Sequence, residues 1–330
     1  MAKKPRLRRF HSLGPDGFHE IAYTEWGNPA SPRLVFCVHG FIRNCRDFDA
    51  LAANLADSCH VVCMDAAGRG ASEWLPHKAY SFGLYLADAA ALIARVTAPA
   101  PERGLRSVFG RARLQKRHVD WVGTSMGGLM GMMLAAKRHS PIRRLVLNDV
   151  GPFVPWAGLL RMKQAFSGFN ATFASLDDVE RYLRDSCKDF GPLTGAQWKH
   201  VVQHSVIRKA NGTYIMACDP AIVTHMRAGS VAGVEFGSDF LFGVDLWPTY
   251  DAIRCPTLVL RGGESEVLLK KTATEMTKRG PKAQVAEFPG IGHAPWLMAG
   301  DQIKAIRNFL LAKPAKEPAP EAKGALALVS

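Results

Sequence analysis

The stretch Asp120–Gly131, DWVGTSMGGLMG, sets Ser125 between Gly123 and Gly127 in a G-x-S-x-G pattern. Val119 to Val122 reads as a short apolar strand, and Met126 to Ala136 as an apolar, glycine-tolerant helix. A strand, a serine on a sharp turn and a helix make a nucleophile elbow. The turn strains the serine backbone and crowds its neighbours. Glycine at 123 and 127 removes the Cβ atoms that would clash as strand and helix approach. The pattern predicts Ser125 Oγ standing clear at the top of a sheet, over a helix N-terminus that favours developing negative charge. Alone, the pentapeptide also fits an ordinary strand-to-helix loop, so the rest of the chain must supply the partners.

A serine hydroxyl needs a base with a pKa near neutrality, and histidine is the first candidate. Of eleven histidines, His293 stands apart, in FPGIGHAPW (288–296). It follows a strand-like run, Ala283 to Phe288, on a Gly- and Pro-marked loop, and a last helix follows at about 298–312. The base needs an orienting acid. Asp149 ends the strand 144–148, and Glu266 follows the strand 257–261, with Glu264 in the same loop. Both main candidates fall at the carboxyl edge of the sheet, where open α/β folds bind ligands. Either can instead be a carboxylate that only caps its loop. The tetrahedral intermediate needs N–H donors. Met126, the residue after the serine, supplies one. Phe41, in the HGFIR loop after the strand Leu34 to Val38, suits the other, with His39 a structural loop residue.

Six segments stand in order: HGFIR (39–43), DAAGRGAS (65–72), GTSMGG (123–128), LVLNDVGP (145–152), LVLRGGESEVL (258–268) and GIGHAPW (290–296). Together they make the chain resemble the α/β-hydrolase fold superfamily over about residues 18–312. The resemblance implies a mostly parallel sheet of about eight strands flanked by helices, with an inserted helical cap. It also implies a triad in the order nucleophile, acid, histidine. One feature departs from the pattern. In many members the acid stands three residues after the glycine ending the seventh strand, and here that position is Ser265. Glu266 is one residue late and one methylene longer than Asp. Some relatives draw the acid from the end of the sixth strand, where Asp149 stands. Asp149 is the favoured acid and Glu266 the alternative. Asp65 and Arg69 resemble a loop that shapes the back of the oxyanion hole. Arg43 can hold a substrate carboxylate bidentately, or pair with a structural acid such as Asp47.

The chain has 330 residues, is 48% apolar and carries a formal charge of +13. That length holds one large core, or a core and a cap. No apolar run is long enough to span a membrane, and the basic start, MAKKPRLRRF, has no apolar segment behind it. Seven cysteines without a C-x-x-C pair read as reduced thiols of a cytoplasmic protein. No zinc-type His/Cys spacing and no dinucleotide or Walker motif is read, so neither metal nor cofactor is implied. The positive charge is concentrated at residues 1–10 and 99–118. The catalytic body is nearly neutral, and nucleic acid is a disfavoured partner because the second block lacks spaced aromatics.

Alternating strand-like and helix-like segments organise the rest. Residues 1–17 read as a basic tail, 18–151 and 249–312 as the core, and 97–118 as a basic surface insertion. Residues 152–248 read as the helical cap, with helices near 157–168, 175–188, 194–209 and 220–227. Residues 313–330 read as a disordered tail. Phe153, Trp156, Phe166, Phe169 and Phe173 crowd the start of the cap. One or two of them, Phe153 and Trp156 first, are expected to line the pocket with Trp296, and Trp247 is a further candidate.

The expected activity is hydrolysis of a carboxylic ester, thioester or lactone with a compact apolar acyl group. The expected route is an acyl-enzyme on Ser125 with His293 as general base. The same fold also serves carbon–carbon bond hydrolysis of diketone-like substrates, haloperoxidase-like side reactions, and slow-turnover ligand-binding or signalling proteins. Haloalkane dehalogenation would need a carboxylate at position 125. The natural substrate and the oligomeric state are not legible in the sequence.

Overall fold

A computed structural model describes residues 4–76, 80–98, 117–165, 169–222 and 243–313. Twelve strands are described: β1 (Arg6–Gly14), β2 (Gly17–Trp26), β3 (Leu34–Val38), β4 (His60–Met64), β5 (Val119–Thr124), β6 (Ile142–Asn148), β7 (Phe153–Pro155), β8 (Val206–Arg208), β9 (Tyr214–Met216), β10 (Gly243–Asp245), β11 (Thr257–Gly262) and β12 (Gln284–Phe288). The described helices are α1 (Asp49–Leu55), α2 (Phe82–Thr97), α3 (Met126–Ala135), α4 (Trp156–Ala165), α5 (Leu176–Ser186), α6 (Gly195–His204), α7 (Trp247–Asp251), α8 (Lys270–Met276) and α9 (Gly300–Leu311).

Eight strands form one sheet in the order β1-β2-β4-β3-β5-β6-β11-β12. From β4 to β12 every pairing is parallel, and β2 joins β4 antiparallel. Parallel strands covered on both faces need apolar side chains throughout. Accordingly, every residue of β3, LVFCV, is buried. Its two faces feed separate layers. Leu34, Phe36 and Val38 join Trp121 and Leu145 on one side, and Val35 and Cys37 join Val122, Val146 and Leu260 on the other. Because β3, β5, β6, β11 and β12 run the same way, the loops after them gather at one edge.

Residues 6–14 correct the reading of 1–17 as a solvated tail. They form the edge strand β1, paired with β2 from Arg6↔Glu25 to Gly14↔Gly17. The turn is closed by Gly17 at φ 120°, a conformation that favours glycine. The basic run is matched across the ladder rather than self-repelling. Arg8 Nε lies 3.1 Å from Glu25 and Arg9 pairs with Glu20. Ser12 is buried, and Phe10 packs edge-on against Tyr23.

The chain leaves the sheet after β6 and returns at β11. Between them, β7 pairs with β10 and β8 with β9, apart from the main sheet. Helices α4, α5 and α6 fall where the sequence places three of the four cap helices. The third ends at His204, and the residues read as its continuation open the β8–β9 hairpin instead. Most of the fourth, Phe166, nearly all of the 97–118 insertion and residues 314–330 lie outside the described residues. Among the described residues, no helix is long and apolar enough to cross a membrane, and all seven cysteines are unpaired.

Candidate active site

The tight turn between β5 and α3 holds Ser125 at φ 51°, ψ −113°, a strained conformation for a residue with a Cβ. Its neighbours explain why glycine flanks it. A Cβ on Gly123 would stand 2.2 Å from the Gly127 carbonyl oxygen, and one on Gly127 would stand 2.0 Å from the Val38 oxygen. Both obstacles are backbone, so no side-chain rotation relieves them. Ser125 N–H donates to Asn148 O at 3.0 Å, which ties the turn to the end of β6.

His293, on the loop after β12, faces Ser125 across the sheet edge. Its Nε2 lies 2.9 Å from Ser125 Oγ, and its Nδ1 lies 2.7 Å from Asp149 Oδ2. A carboxylate only accepts, so the Nδ1 proton points to Asp149 and Nε2 offers a lone pair to the serine hydroxyl. Asp149 is fully buried at φ 55°. Its second oxygen accepts from Gly262 N–H at 2.8 Å, and Oδ2 also accepts from Ser265 Oγ at 2.5 Å. Ser265 in turn accepts from Val267 and Leu268 N–H. Thus Ser265, at the position where the resemblance led to an acid being expected, donates to Asp149, just past the end of β6. Glu266, the alternative, has an exposed side chain. Asn148 Nδ2 donates to both Thr124 Oγ1 and Pro295 O, fastening the elbow strand to the histidine loop.

The loop after β3 runs beside the serine. A Cβ on Gly40 would meet Ser125 Cβ at 3.8 Å, and Gly127 N–H donates to His39 O at 3.2 Å. Met126 opens α3, so its N–H has no intrahelical acceptor. Two buried side chains fix the loop. His39 Nδ1 meets Gly40 O at 2.7 Å, and its Nε2 accepts from Ala66 N–H at 3.0 Å. Burial pushes His39 down to about 4, so the ring is neutral at pH 7. Arg69, fully buried, donates to the Phe41 carbonyl at 2.9 Å and to Tyr85 Oη at 2.6 Å. Burial also raises the neighbouring Asp65 to about 6, although it accepts from the Cys45 and Ala71 amides.

The cleft over Ser125 is lined by Phe41, Ile42, Arg43, Phe190, His293 and Trp296 among others. Trp296 stands where the sequence reading puts it, with Phe190 at 5.2 Å and Trp198 at 5.9 Å between ring centres. Phe153 and Trp156 are not among the described residues of that wall. Phe153 pairs with Asp245 in the β7–β10 ladder, and Trp156 packs partly buried on the core. Trp247 instead meets Tyr250 edge-on and lies under Arg279. Arg43 is in the wall, but its fork is committed. Nε and Nη2 donate to Asp47 at 2.9 and 2.6 Å, and Nη1 donates to Ser205 at 2.9 Å. Of the two partners read for Arg43, Asp47 is the one that the fork engages. Phe190, like Phe48, is a wall aromatic outside the predicted set. It sits in the first half of the inserted segment, beside the contact in which Gly292 N–H donates to Asp189 O.

The family model "Alpha/beta hydrolase family" matches residues 35–306. A 3-hydroxybutyrate-oligomer hydrolase of Cupriavidus necator is 36% identical over 314 residues, covering 94% of this chain and 99% of that protein. An esterase of Mycobacterium tuberculosis is 27% identical, over 78% of this chain and 75% of its own. An alpha/beta hydrolase from Novosphingobium aromaticivorans superposes with a TM-score of 0.75 at 30% identity, covering 94% of this chain and 99% of that one.

Proposed function

Because the chain belongs to the alpha/beta hydrolase family, we propose that it is a serine hydrolase of carboxylic esters, acting on short oligoesters of a hydroxy acid. The observation that carries this reading is the relay Ser125–His293–Asp149, with contacts of 2.9 and 2.7 Å. His293 Nε2 takes the Ser125 proton as Oγ bonds the ester carbonyl carbon. Asp149 stabilises the imidazolium that forms. The Phe41 and Met126 amides receive the negative oxygen of the tetrahedral intermediate. As the carbon–oxygen bond to the alcohol breaks, the Nε2 proton passes to the leaving alkoxide. Water, deprotonated by His293 in turn, then releases the acid and restores Ser125.

The substrate class rests on the Cupriavidus relative, whose name assigns it oligomers of 3-hydroxybutyrate. A cleft walled by Phe41, Ile42, Phe190 and Trp296 favours a compact apolar acyl unit. The test is hydrolysis of 3-hydroxybutyrate dimer and trimer beside p-nitrophenyl esters from acetate to decanoate, by wild type and Ser125→Ala. Serine-dependent release of monomer, with short p-nitrophenyl esters preferred, supports the reading. Turnover of the p-nitrophenyl esters without the oligomers removes the substrate class and leaves the esterase. No serine-dependent turnover removes both.

A further inference from the structure

Outside the cleft, a second cluster of chemically capable side chains joins the inserted segment to the core. Asp49 is the first residue of α1. His200 and His204 stand one turn apart on α6, so both rings project from one face of that helix. One donor atom from each of the three lies within 4.8 Å of the others. His200 Nε2 is 3.6 Å from Asp49 Oδ2, and the imidazole centres are 4.6 Å apart. Ligands bound to a tetrahedral ion at about 2.0–2.1 Å lie roughly 3.3 Å from one another. The three donors are therefore within a side-chain adjustment of that spacing.

The point on which they converge already holds a cation. Arg46 Nε donates to both Asp49 oxygens, at 3.0 and 2.8 Å, and Nη2 reaches Oδ2 at 2.5 Å. Its Nη1 lies 3.3 Å from His204 Nδ1. His200 Nε2–H donates to the Arg46 carbonyl at 3.0 Å, a bond that a metal at Nε2 would replace. The guanidinium thus touches two of the three donors. We propose that Asp49, His200 and His204 form a transition-metal site in which a zinc-like dication competes with the Arg46 guanidinium. Two imidazoles and one carboxylate suit zinc, nickel or copper over magnesium or calcium. His200 is half-buried, which leaves the ion a path from solvent. Bound metal would bridge α6 to α1 across an interface already held by Asn44 donating to His204 O at 2.8 Å and by Arg43 donating to Ser205.

The H-x-x-x-H spacing of His200 and His204 is visible in the sequence, and the fold brings Asp49, far away in the chain, beside it.

The test is calorimetric titration of the full chain with Zn²⁺ alone, in wild type, Arg46→Gln, Arg46→Gln/His204→Ala and Arg46→Gln/Asp49→Asn. Circular dichroism checks that each is folded. Removing the guanidinium frees both Asp49 oxygens and deletes a like charge. Arg46→Gln is expected to bind one Zn²⁺ at least tenfold tighter than wild type, with the gain abolished in both double variants. Unchanged affinity in Arg46→Gln overturns the site, as does a gain that survives in a folded double variant. If one double variant does not fold, the other decides.

Discussion

At the scale of single residues, Asp149→Asn and Glu266→Gln separate the two carboxylates. Asparagine at 149 keeps the shape but cannot hold His293 in the tautomer that leaves Nε2 free. Loss of about 10⁴ in kcat is expected, on the scale of a removed triad acid. Glu266→Gln, altering an exposed side chain, is expected to stay near wild type. Steady-state kinetics on one p-nitrophenyl ester reads both, and the reverse ranking would reassign the acid. Ser265 adds a second prediction. Ser265→Ala removes the 2.5 Å bond to Asp149, a hydrogen bond to a charged group worth about 1.5–3 kcal/mol. A fall of about tenfold in kcat with little change in KM is expected. Threonine, which keeps the hydroxyl, should restore kcat, whereas an unchanged kcat in Ser265→Ala would remove the role. Ser125, His293 and Asp149, which lie within hydrogen-bond distance in series, are nameable in the sequence because motif order puts them after strands whose ends share one sheet edge. The choice between Asp149 and Glu266 was not fixed, because it depends on the register of a short loop. Arg43 was legible as a cleft residue but not as the partner of Ser205, which comes from a distant segment.

At the scale of elements, the meeting of β5, α3 and the loop after β3 is the least tolerant part of the molecule. Gly127→Ala drives a Cβ onto the Val38 carbonyl. Destabilisation of at least about 3 kcal/mol is expected in urea unfolding, and a neutral result would contradict the close approach. The His39 bridge between the loops after β3 and β4 gives a pH signature. Its folded pKa of about 4 lies below its unfolded value of about 6.5. The unfolded chain therefore binds more protons between those values. The stabilisation is full above pH 6.5 and is lost as pH falls through about 4, amounting to as much as about 3 kcal/mol. Asp65 runs the other way. Its folded value of about 6 lies above the usual carboxylate range, so its contribution is lost as pH rises through about 6. The diagnostic quantity is thus the difference between wild type and His39→Gln, which should shrink from pH 7 to pH 4. A difference constant with pH would refute a neutral, buried His39. These elements were readable from apolar runs and glycine placement. The β1 strand was not, because five basic residues in ten suggest repulsion until β2 brings Glu25 to Arg8 and Glu20 to Arg9.

At the scale of the whole molecule, that hairpin carries its own test. His19 of β2 places Nε2 3.0 Å from Asp88 of α2, with both side chains buried, and β1 covers the edge of β2. Deleting residues 1–14 should lower stability by on the order of 3 kcal/mol, read as a lower urea midpoint, whereas a dispensable tail would leave it unchanged. The architecture as a whole was legible because strand and helix periodicities alternate along the core. The cleft was less so. Its described wall is closed by Phe190 and Trp296, which meet only when the inserted segment folds back over the histidine loop. On the proposed function, the elements that meet at Ser125 make it the nucleophile. The most direct test is intact-mass analysis after treatment with a p-nitrophenyl phosphonate, followed by peptide mapping. A single phosphonyl adduct on Ser125 is predicted, absent in Ser125→Ala and formed several orders of magnitude more slowly in Asp149→Asn. No adduct, or an adduct on another residue, would contradict the account.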